Sequence, residues 1–391
     1  MARRIMVVAG EPSGDMLGGR LMAELTALSG GAVEFVGVGG EAMRAQGLES
    51  LFPIEELSVM GFAEVVPSLP RLWRRIRETV ALALELRPDA LVTIDTPAFS
   101  LRVAKRLAGA GIPLVHYVAP SVWAWRPGRA RAIARFLDHL LALMPFEPPY
   151  FEKVGLPCSY VGHPAIEFGA DRGDGPGFRA RHRVPGEARL LLLLPGSRRT
   201  ETARHLPLFE RTLSRLRGRF GELRAVIPTV SAVADEVAAT TARWRPAPLV
   251  VRGEAERWDA FAAADGALAV SGTVSLELAL ARVPTVVTYK TGILTSLVAG
   301  LLVRTKYVSP PNLILDRAVI PELLLAQARP QRLAEAVSQI LVDREARAAQ
   351  TRAADEVAAK LGVGGEPPSR RAARVVLEVI ARGPRRPEHA P

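Results

Sequence analysis

The chain has 391 residues, 49% of them hydrophobic and 23% charged, a globular composition long enough for two domains that excludes a disordered or fibrous chain. Its single cysteine, Cys158, excludes an intrachain disulfide and suits a reducing cytoplasm. A formal net charge of +11 favours an anionic partner, whether nucleic acid, acidic lipid headgroups or a phosphorylated substrate, although an arginine-rich, lysine-poor composition also arises without one.

Arg3 and Arg4 precede the apolar run Ile5 to Ala9, which meets Glu11 too early for a signal-peptide core and reads as a buried first strand. Further strands are predicted at 33–38, 90–94, 114–118 and 140–144, with helical patterns between most of them. Continuous apolar strands joined by helical crossovers imply a parallel, doubly wound α/β sheet with ligands at the strand carboxyl ends. From 167 to 188, Gly, Pro and charge replace any apolar period, which places a linker between a first domain, 1–166, and a second α/β domain, 189–366. Strands of the second domain are predicted at 190–194, 223–227, 249–251, 267–270 and 285–289. The apolar stretch 293–303 falls short of the roughly 20 residues that span a bilayer. After Pro367, a last helix over 367–382 is expected to return to the first domain or to swap onto a second copy in a homodimer. The tail, 383–391, is expected to be disordered. Two such domains facing a cleft suit one reactant held by each.

The first strand runs into GEPSGD, Gly10 to Asp15, where the glycines permit tight turns and Ser13 or Asp15 can cap the following helix. Glu11 is the member that capping explains least. Asp95 ends the strand in TIDTPAF, where Pro97 stops it, and a carboxylate there can take a proton from an attacking hydroxyl; an Asx turn is the plainer use. HYVAPSVWAWRPGRARAIARF gathers His116, Trp123, Trp125, Arg126, Arg129 and Arg131 after a strand, for substrate contact or ordinary packing.

In LLLLPGSRRTE, Arg198 and Arg199 follow a tight turn before a helix, and the helix start joined by arginine makes an anion site suited to a pyrophosphate. VSGTVSLELAL sets Ser271, Gly272 and Thr273 between a strand and a helix carrying Glu277, one turn in, within reach of a ribose diol. Both segments also suit plain helix starts. No DxD sequence occurs and the six histidines lack close spacings, so no metal and no cofactor is expected. Leaving-group charge then falls to arginine and helix dipoles.

PSLPRLWRRIRETVALALELRP puts Leu69, Leu72, Trp73 and Ile76 beside Arg71, Arg74, Arg75 and Arg77, after Val59, Met60, Phe62, Val65 and Val66. Such a helix can rest on an anionic bilayer or cover a core as a solvated helix. No recognisable nucleic-acid module accompanies the charge, which disfavours nucleic acid as partner.

Taken together, GEPSGD, MGFAEV, DTPAF, HYVAPSVWAW, PFE, GHP, LLPGSR, SGTVSLE and YVSPPNL, nine pieces in order over nearly the whole chain, resemble the lipid-A-disaccharide synthase family. The resemblance implies two doubly wound, Rossmann-like domains of GT-B type: an acceptor- and membrane-facing first domain and a UDP-sugar-binding second one. It implies a metal-independent, inverting transferase that joins UDP-2,3-diacylglucosamine to 2,3-diacylglucosamine 1-phosphate, giving a β-1,6-linked disaccharide 1-phosphate and UDP. It matches Arg198, Ser271, Gly272 and Thr273 to the phosphate side of UDP, Glu277 to the ribose side and Asn312 to the PNL motif. Asp95 matches the general base, with Glu11 as its competitor or orienting partner. The apolar and basic segment, with Val65, Val66, Leu69, Arg71, Leu72, Trp73, Arg74 and Ile76, would meet anionic lipid at the cytoplasmic face of the inner membrane. Ala98, in DTPAF, and Thr291 and Gly292, after YK, depart from the pattern and bear on acceptor contacts. Other readings are a UDP-N-acetylglucosamine 2-epimerase, which needs no apolar and basic face, and a non-catalytic UDP-sugar-binding protein at the membrane.

Overall fold

The computed structural model describes residues 3–57, 62–123, 128–291 and 305–385, and of 62–68 the backbone alone. Val59, Met60, Trp125, Arg126, Gly292, the stretch 293–303, the tail beyond 385 and the side chains of Val65 and Val66 lie outside the described residues. Two compact units emerge, Met1–Pro164 with Gly364–Pro391, and Ala165–Val363.

In the first unit the chain forms β1 (Arg3–Ala9), α1 (Pro12–Leu28), β2 (Val33–Val38), α2 (Glu41–Arg44), β3 (Glu49–Ser50) and α3 (Phe62–Leu86). It continues through β4 (Ala90–Ile94), α4 (Ser100–Arg106), β5 (Leu114–Tyr117), α5 (Gly128–Ala134), β6 (His139–Ala142), α6 (Pro148–Glu152) and β7 (Cys158–Tyr160). The strands make one parallel sheet in the order β3-β2-β1-β4-β5-β6-β7. Side chains alternate between its faces as strand geometry requires. Ile5, Val7, Val92 and Ile94 pack with Leu21 and Leu25 of α1, whereas Met6, Val8, Leu91 and Leu114 pack with Ile76 of α3 and Val103 of α4.

The second unit contains α7 (Gly175–Arg181), β8 (Arg189–Leu194), α8 (Arg199–Arg217), β9 (Leu223–Thr229), α9 (Ala234–Thr241), β10 (Leu249–Arg252) and α10 (Glu254–Ala263). There follow β11 (Gly266–Val270), α11 (Val274–Leu280), β12 (Thr285–Tyr289), α12 (Pro310–Leu315), β13 (Glu322–Leu324), α13 (Pro330–Val342) and α14 (Arg344–Leu361). This sheet is also parallel, in the order β10-β9-β8-β11-β12-β13. The last helix, α15 (Pro368–Arg382), belongs to the first unit. Its stripe of Ala372, Ala373, Val376 and Val379 has helical spacing and is buried beside α1, so the helix returns to its own first unit.

Three expectations change. The stretch read as a linker, 167–188, holds α7, whose N-terminus Asp174 caps by accepting from the Gly177 amide at 2.9 Å. Arg179 binds Asp265 at 2.9 Å and Arg181 binds Asp259 at 2.5 Å, which ties α7 into the second unit; its polar residues face other elements, so no apolar period was visible. The strand predicted at 140–144 stops at Ala142, because the Met144 amide turns to donate to the Glu147 carboxylate at 3.0 Å. The strands β3, β7 and β13, two or three residues each, are too short to carry a period.

Each sheet reverses its strand order at one place, between β1 and β4 and between β8 and β11. In open α/β sheets ligands bind at the carboxyl ends of such strands. The motifs singled out from the sequence leave these four strands.

Candidate functional site

In the first unit, Ala9 pairs with Ile94, so GEPSGD and DTPAF leave adjacent strands side by side. Asp95 and Thr96 both have positive φ, 46° and 41°, a costly conformation for residues with side chains and one that clusters at functional sites. The Asp95 amide donates to the Tyr117 carbonyl at 2.9 Å, and the Thr96 carbonyl accepts from the Phe99 and Ser100 amides at 2.9 and 3.0 Å, which starts α4. Glu11 sits in extended conformation at the N-cap of α1, exposed, and its side chain does not cap the helix. The neighbouring strand ends thus carry two carboxylates at one sheet edge.

Asp15 does not cap α1. Its carboxylate, buried, accepts from the Gly40, Ala42 and Met43 amides at 2.7, 2.9 and 3.1 Å and so caps α2. The first-strand motif therefore divides its work: Asp15 is structural and Glu11 faces outward.

Of the segment that follows β5, His116 is turned inward and Arg131 outward. The imidazole is fully buried, its Nδ1 lies 2.8 Å from Thr93 Oγ1, and burial with the nearby Arg129 charge pushes its pKa down to about 3. It is a neutral group at physiological pH. The Trp123 indole N–H donates to Glu147 Oε1 at 3.3 Å and its ring meets Phe146 edge-on. Burial pushes Glu147 up to about 7.

On α3, Ile76 is fully buried in the core and Leu72 packs against it, so neither belongs to an outer face as expected. A helix over a sheet must spend its apolar stripe on that sheet. Leu69 is half-buried, Arg71 and Arg74 are exposed and Trp73 is 38% exposed. The guanidinium groups of Arg102 and Arg106, from α4, lie 5.2 and 4.8 Å from the centroid of the Trp73 ring. Arg75 instead forks onto Glu56 at 2.6 and 2.9 Å. Among the described residues, no helix is long and apolar enough to cross a membrane.

In the second unit, a cavity of about 410 Å³ opens at the ends of β8, β9 and β11, and Arg198, Ser271, Gly272, Thr273 and Glu277 all line it. Gly196, with φ 114°, makes the tight turn after β8, and a Cβ there would meet the Glu201 carboxylate. Glu201 Oε2 accepts from the Ser197 and Arg198 amides at 3.0 and 3.3 Å. These two N–H groups, expected to face an anion, are thus already engaged. What this loop presents is the Arg198 side chain, 68% exposed and only 3.5 Å from Glu201 at its closest. The Ser271 amide is likewise engaged with Thr288 O at 2.9 Å, while Gly272 and Thr273 are exposed.

His205 braces this edge from α8. Its Nδ1 donates to Glu201 O at 2.8 Å and its Nε2 accepts from the Lys290 amide at 3.0 Å, which requires the Nδ1–H tautomer.

Sequence reading missed Arg257. It lines the cavity from α10, forms an ion pair with Glu277, and its guanidinium stacks 4.6 Å from the Trp258 ring and 5.4 Å from the Phe261 ring. Burial lowers its pKa to about 10, which still leaves it charged at neutral pH. Thr229, also missed, lines the cavity with a buried Oγ1 that has no hydrogen-bond partner. An arginine in the first turns of a mixed helix carries no local signal; only the tertiary fold brings Arg257 of α10 to Glu277 of α11, 20 residues away in the chain.

Asn312 is not among the residues lining this cavity. Its Nδ2 donates to Ile320 O and Glu322 Oε1 at 2.9 and 2.8 Å, and its Oδ1 accepts from the Val319 and Ile320 amides at 2.8 and 2.9 Å. All four hydrogen-bonding sites of the carboxamide are filled, so a nucleotide contact by Asn312 requires one of these bonds to break.

The solved structures that this fold resembles include UDP-GlcNAc 2-epimerase from Neisseria meningitidis bound to UDP-GlcNAc, with a TM-score of 0.64 at 10% identity over 97% of this chain and 100% of that one. The glycotransferase of kitacinnamycin has a TM-score of 0.63 at 17% identity, over 97% and 100%. At such identities the likeness concerns fold alone, two parallel-sheet α/β domains of GT-B type. Sequence relatives are much nearer. The lipid-A-disaccharide synthase of Rhodospirillum centenum is 53% identical over 97% of this chain and 95% of its own length. That of Paramagnetospirillum magneticum is 51% identical over 97% and 98%. The family profile described as lipid-A-disaccharide synthetase matches residues 5–374. The chain belongs to the lipid-A-disaccharide synthetase family.

Proposed function

We propose that the chain transfers 2,3-diacylglucosamine from UDP to the 6-hydroxyl of 2,3-diacylglucosamine 1-phosphate, with inversion, giving the β-1,6-linked disaccharide 1-phosphate and UDP at the cytoplasmic face of the inner membrane. Family membership supports a glycosyltransferase of lipid A biosynthesis. The observation that carries the site reading is the convergence of Arg198, Ser271, Gly272, Thr273 and Glu277 on one cavity at a strand-order reversal.

In this reading Asp95 takes the proton of the attacking 6-hydroxyl while the anomeric carbon loses UDP on its opposite face, so one displacement inverts the centre without a covalent intermediate. Glu11, on the adjacent strand end, orients Asp95 or the hydroxyl. The charge that develops on the departing diphosphate meets the exposed Arg198 guanidinium and the Ser271 to Thr273 turn, a fixed electrostatic environment that needs no metal. Glu277 takes the ribose hydroxyls.

Acyl chains resist leaving a bilayer by about 0.8 kcal/mol per buried CH₂, so the enzyme works where its substrates lie. Trp73 with Arg71, Arg74, Arg102 and Arg106 offers an aromatic and cationic surface suited to anionic headgroups. The epimerase likeness is one of fold at 10% identity, against 53% for the synthase relative.

The test supplies purified protein with both acylated substrates in detergent and EDTA and follows release of UDP and disaccharide. Turnover in wild type that disappears in Asp95→Ala supports the reading; tight UDP binding without turnover, or interconversion of UDP-N-acetylglucosamine instead, overturns it.

A further inference from the structure

Glu277 lies one turn into α11 with its side chain almost fully buried, and its Oε2 pairs with the Arg257 Nη2. A buried carboxylate with no counter-charge would take up a proton rather than remain ionised. Neutral, it would be a mixed donor and acceptor; ionised, it is acceptor-only, with sites for about four hydrogen bonds over two oxygens. A vicinal diol presents two O–H donors and is matched by the ionised form. One ion pair leaves acceptor capacity for both hydroxyls.

Arg257 is itself held in place. Its guanidinium lies against the Trp258 and Phe261 rings, both buried, so its position is set before any ligand arrives. Arg198, by contrast, is exposed and only loosely engaged with Glu201. The two arginines lining the cavity therefore have different chemistry: Arg198 is available to a phosphate, and Arg257 is committed to a carboxylate.

We infer that Arg257 is a positioning residue that keeps the Glu277 carboxylate a double acceptor facing the nucleotide ribose, and thereby selects ribonucleotide over 2′-deoxyribonucleotide. The inference rests on the proposal that the cavity holds UDP with Glu277 at the ribose. Arg257 touches Glu277 and acts on the sugar through it.

The experiment measures calorimetric binding of UDP and of 2′-deoxy-UDP to the full chain in detergent, for wild type, Glu277→Gln, Arg257→Met, Arg257→Lys and the double variant Arg257→Lys with Glu277→Gln. Wild type is expected to favour UDP by about tenfold or more, the worth of one hydrogen bond to a charged acceptor. Arg257→Met is expected to bring the ratio to within about threefold of unity, while 2′-deoxy-UDP affinity changes less than UDP affinity. Arg257→Lys keeps the charge without the planar fork and is expected to lie between wild type and Glu277→Gln. The double variant is expected to match Glu277→Gln alone, since an action through Glu277 vanishes with it.

A uniform loss of affinity for both nucleotides in the Arg257 variants, with the ratio preserved, overturns the inference and makes Arg257 a phosphate ligand or a structural residue. A ratio lower in the double variant than in Glu277→Gln also overturns it, because Arg257 then contacts the ribose directly. Wild type that binds UDP without discriminating the two nucleotides instead removes Glu277 from the ribose, and wild type that binds neither removes UDP from the cavity. Should Arg257→Met fail to fold, Arg257→Lys and the double variant decide the matter by the same ratios.

Discussion

The methyl carbon of Thr96 stands 2.7 Å from the position that a Cβ on Gly10 would occupy. The loop carrying Glu11 and the loop carrying Asp95 are thus packed backbone against side chain, and neither can shift without the other. Thr96 also holds a positive φ of 41°, a conformation that glycine adopts without strain. Gly10→Ala is expected to cost about 1–3 kcal/mol of stability through overpacking. Adding Thr96→Gly removes the clashing atoms, so the double variant should recover most of that loss. Denaturant unfolding of the two single variants and the double variant checks this, and additive losses would contradict it.

Asp95→Asn preserves shape and removes the proposed base. Turnover is expected to fall by about 10²–10⁴-fold, the usual contribution of a positioned base, with UDP affinity within about twofold of wild type, as the binding cavity is built from other residues. Glu11→Gln, measured alongside, should lower turnover less. Should Glu11→Gln prove the more damaging, the base is Glu11.

Removing Arg198 tests the diphosphate side. The side chain is 68% exposed, so Arg198→Ala should leave the unfolding midpoint nearly unchanged. A hydrogen bond to a charged group is worth about 1.5–3 kcal/mol, so losing one that meets the charge of the departing diphosphate lowers kcat/KM for the nucleotide sugar by about ten- to a hundredfold. Steady-state kinetics beside thermal unfolding separate the two quantities.

Asp15 behaves oppositely. Its three amide hydrogen bonds cap α2, and Asp15→Ala leaves those donors without the carboxylate, at a cost of about 2–4 kcal/mol. The protein that remains folded should bind UDP normally. A selective loss of UDP affinity with unchanged stability would refute this division of the GEPSGD motif.

Glu147 gives a pH signature. Burial raises its carboxyl from 4.5 to about 7, so between these values the folded chain binds more protons than the unfolded chain. Its contribution to stability is present below the unfolded value of 4.5 and is lost as pH rises through about 7. His116, lowered from 6.5 to about 3, acts the other way: its contribution is present above 6.5 and is lost as pH falls toward 3. A wild-type profile mixes the two. The difference between Glu147→Gln and wild type isolates the first, and the variant should gain up to roughly 3 kcal/mol relative to wild type from pH 4.5 to pH 7.5. A difference that is flat across that range would place Glu147 in a wetter environment.

Apolar runs such as 190–194 and 285–289, the turns after them and the Arg198 and Ser271 to Glu277 segments were readable in the sequence because strand, turn and helix start are decided by neighbours a few residues apart. The same locality exposed Glu11 and Asp95 at strand ends, and the apolar stripe of the last helix. It could not reveal that α7 packs on α10, because that helix is held by Asp259 and Asp265, more than 70 residues away in the chain. Nor could it show that Ile76 turns into the core or that Asn312 is saturated by the turn into β13. Above all, the ion pair of Arg257 with Glu277 joins residues of α10 and α11 that stand 20 apart in the chain. Local preferences depend on a few residues along the chain, whereas a buried charge finds its partner, and a hydrogen-bonding group its satisfaction, through space.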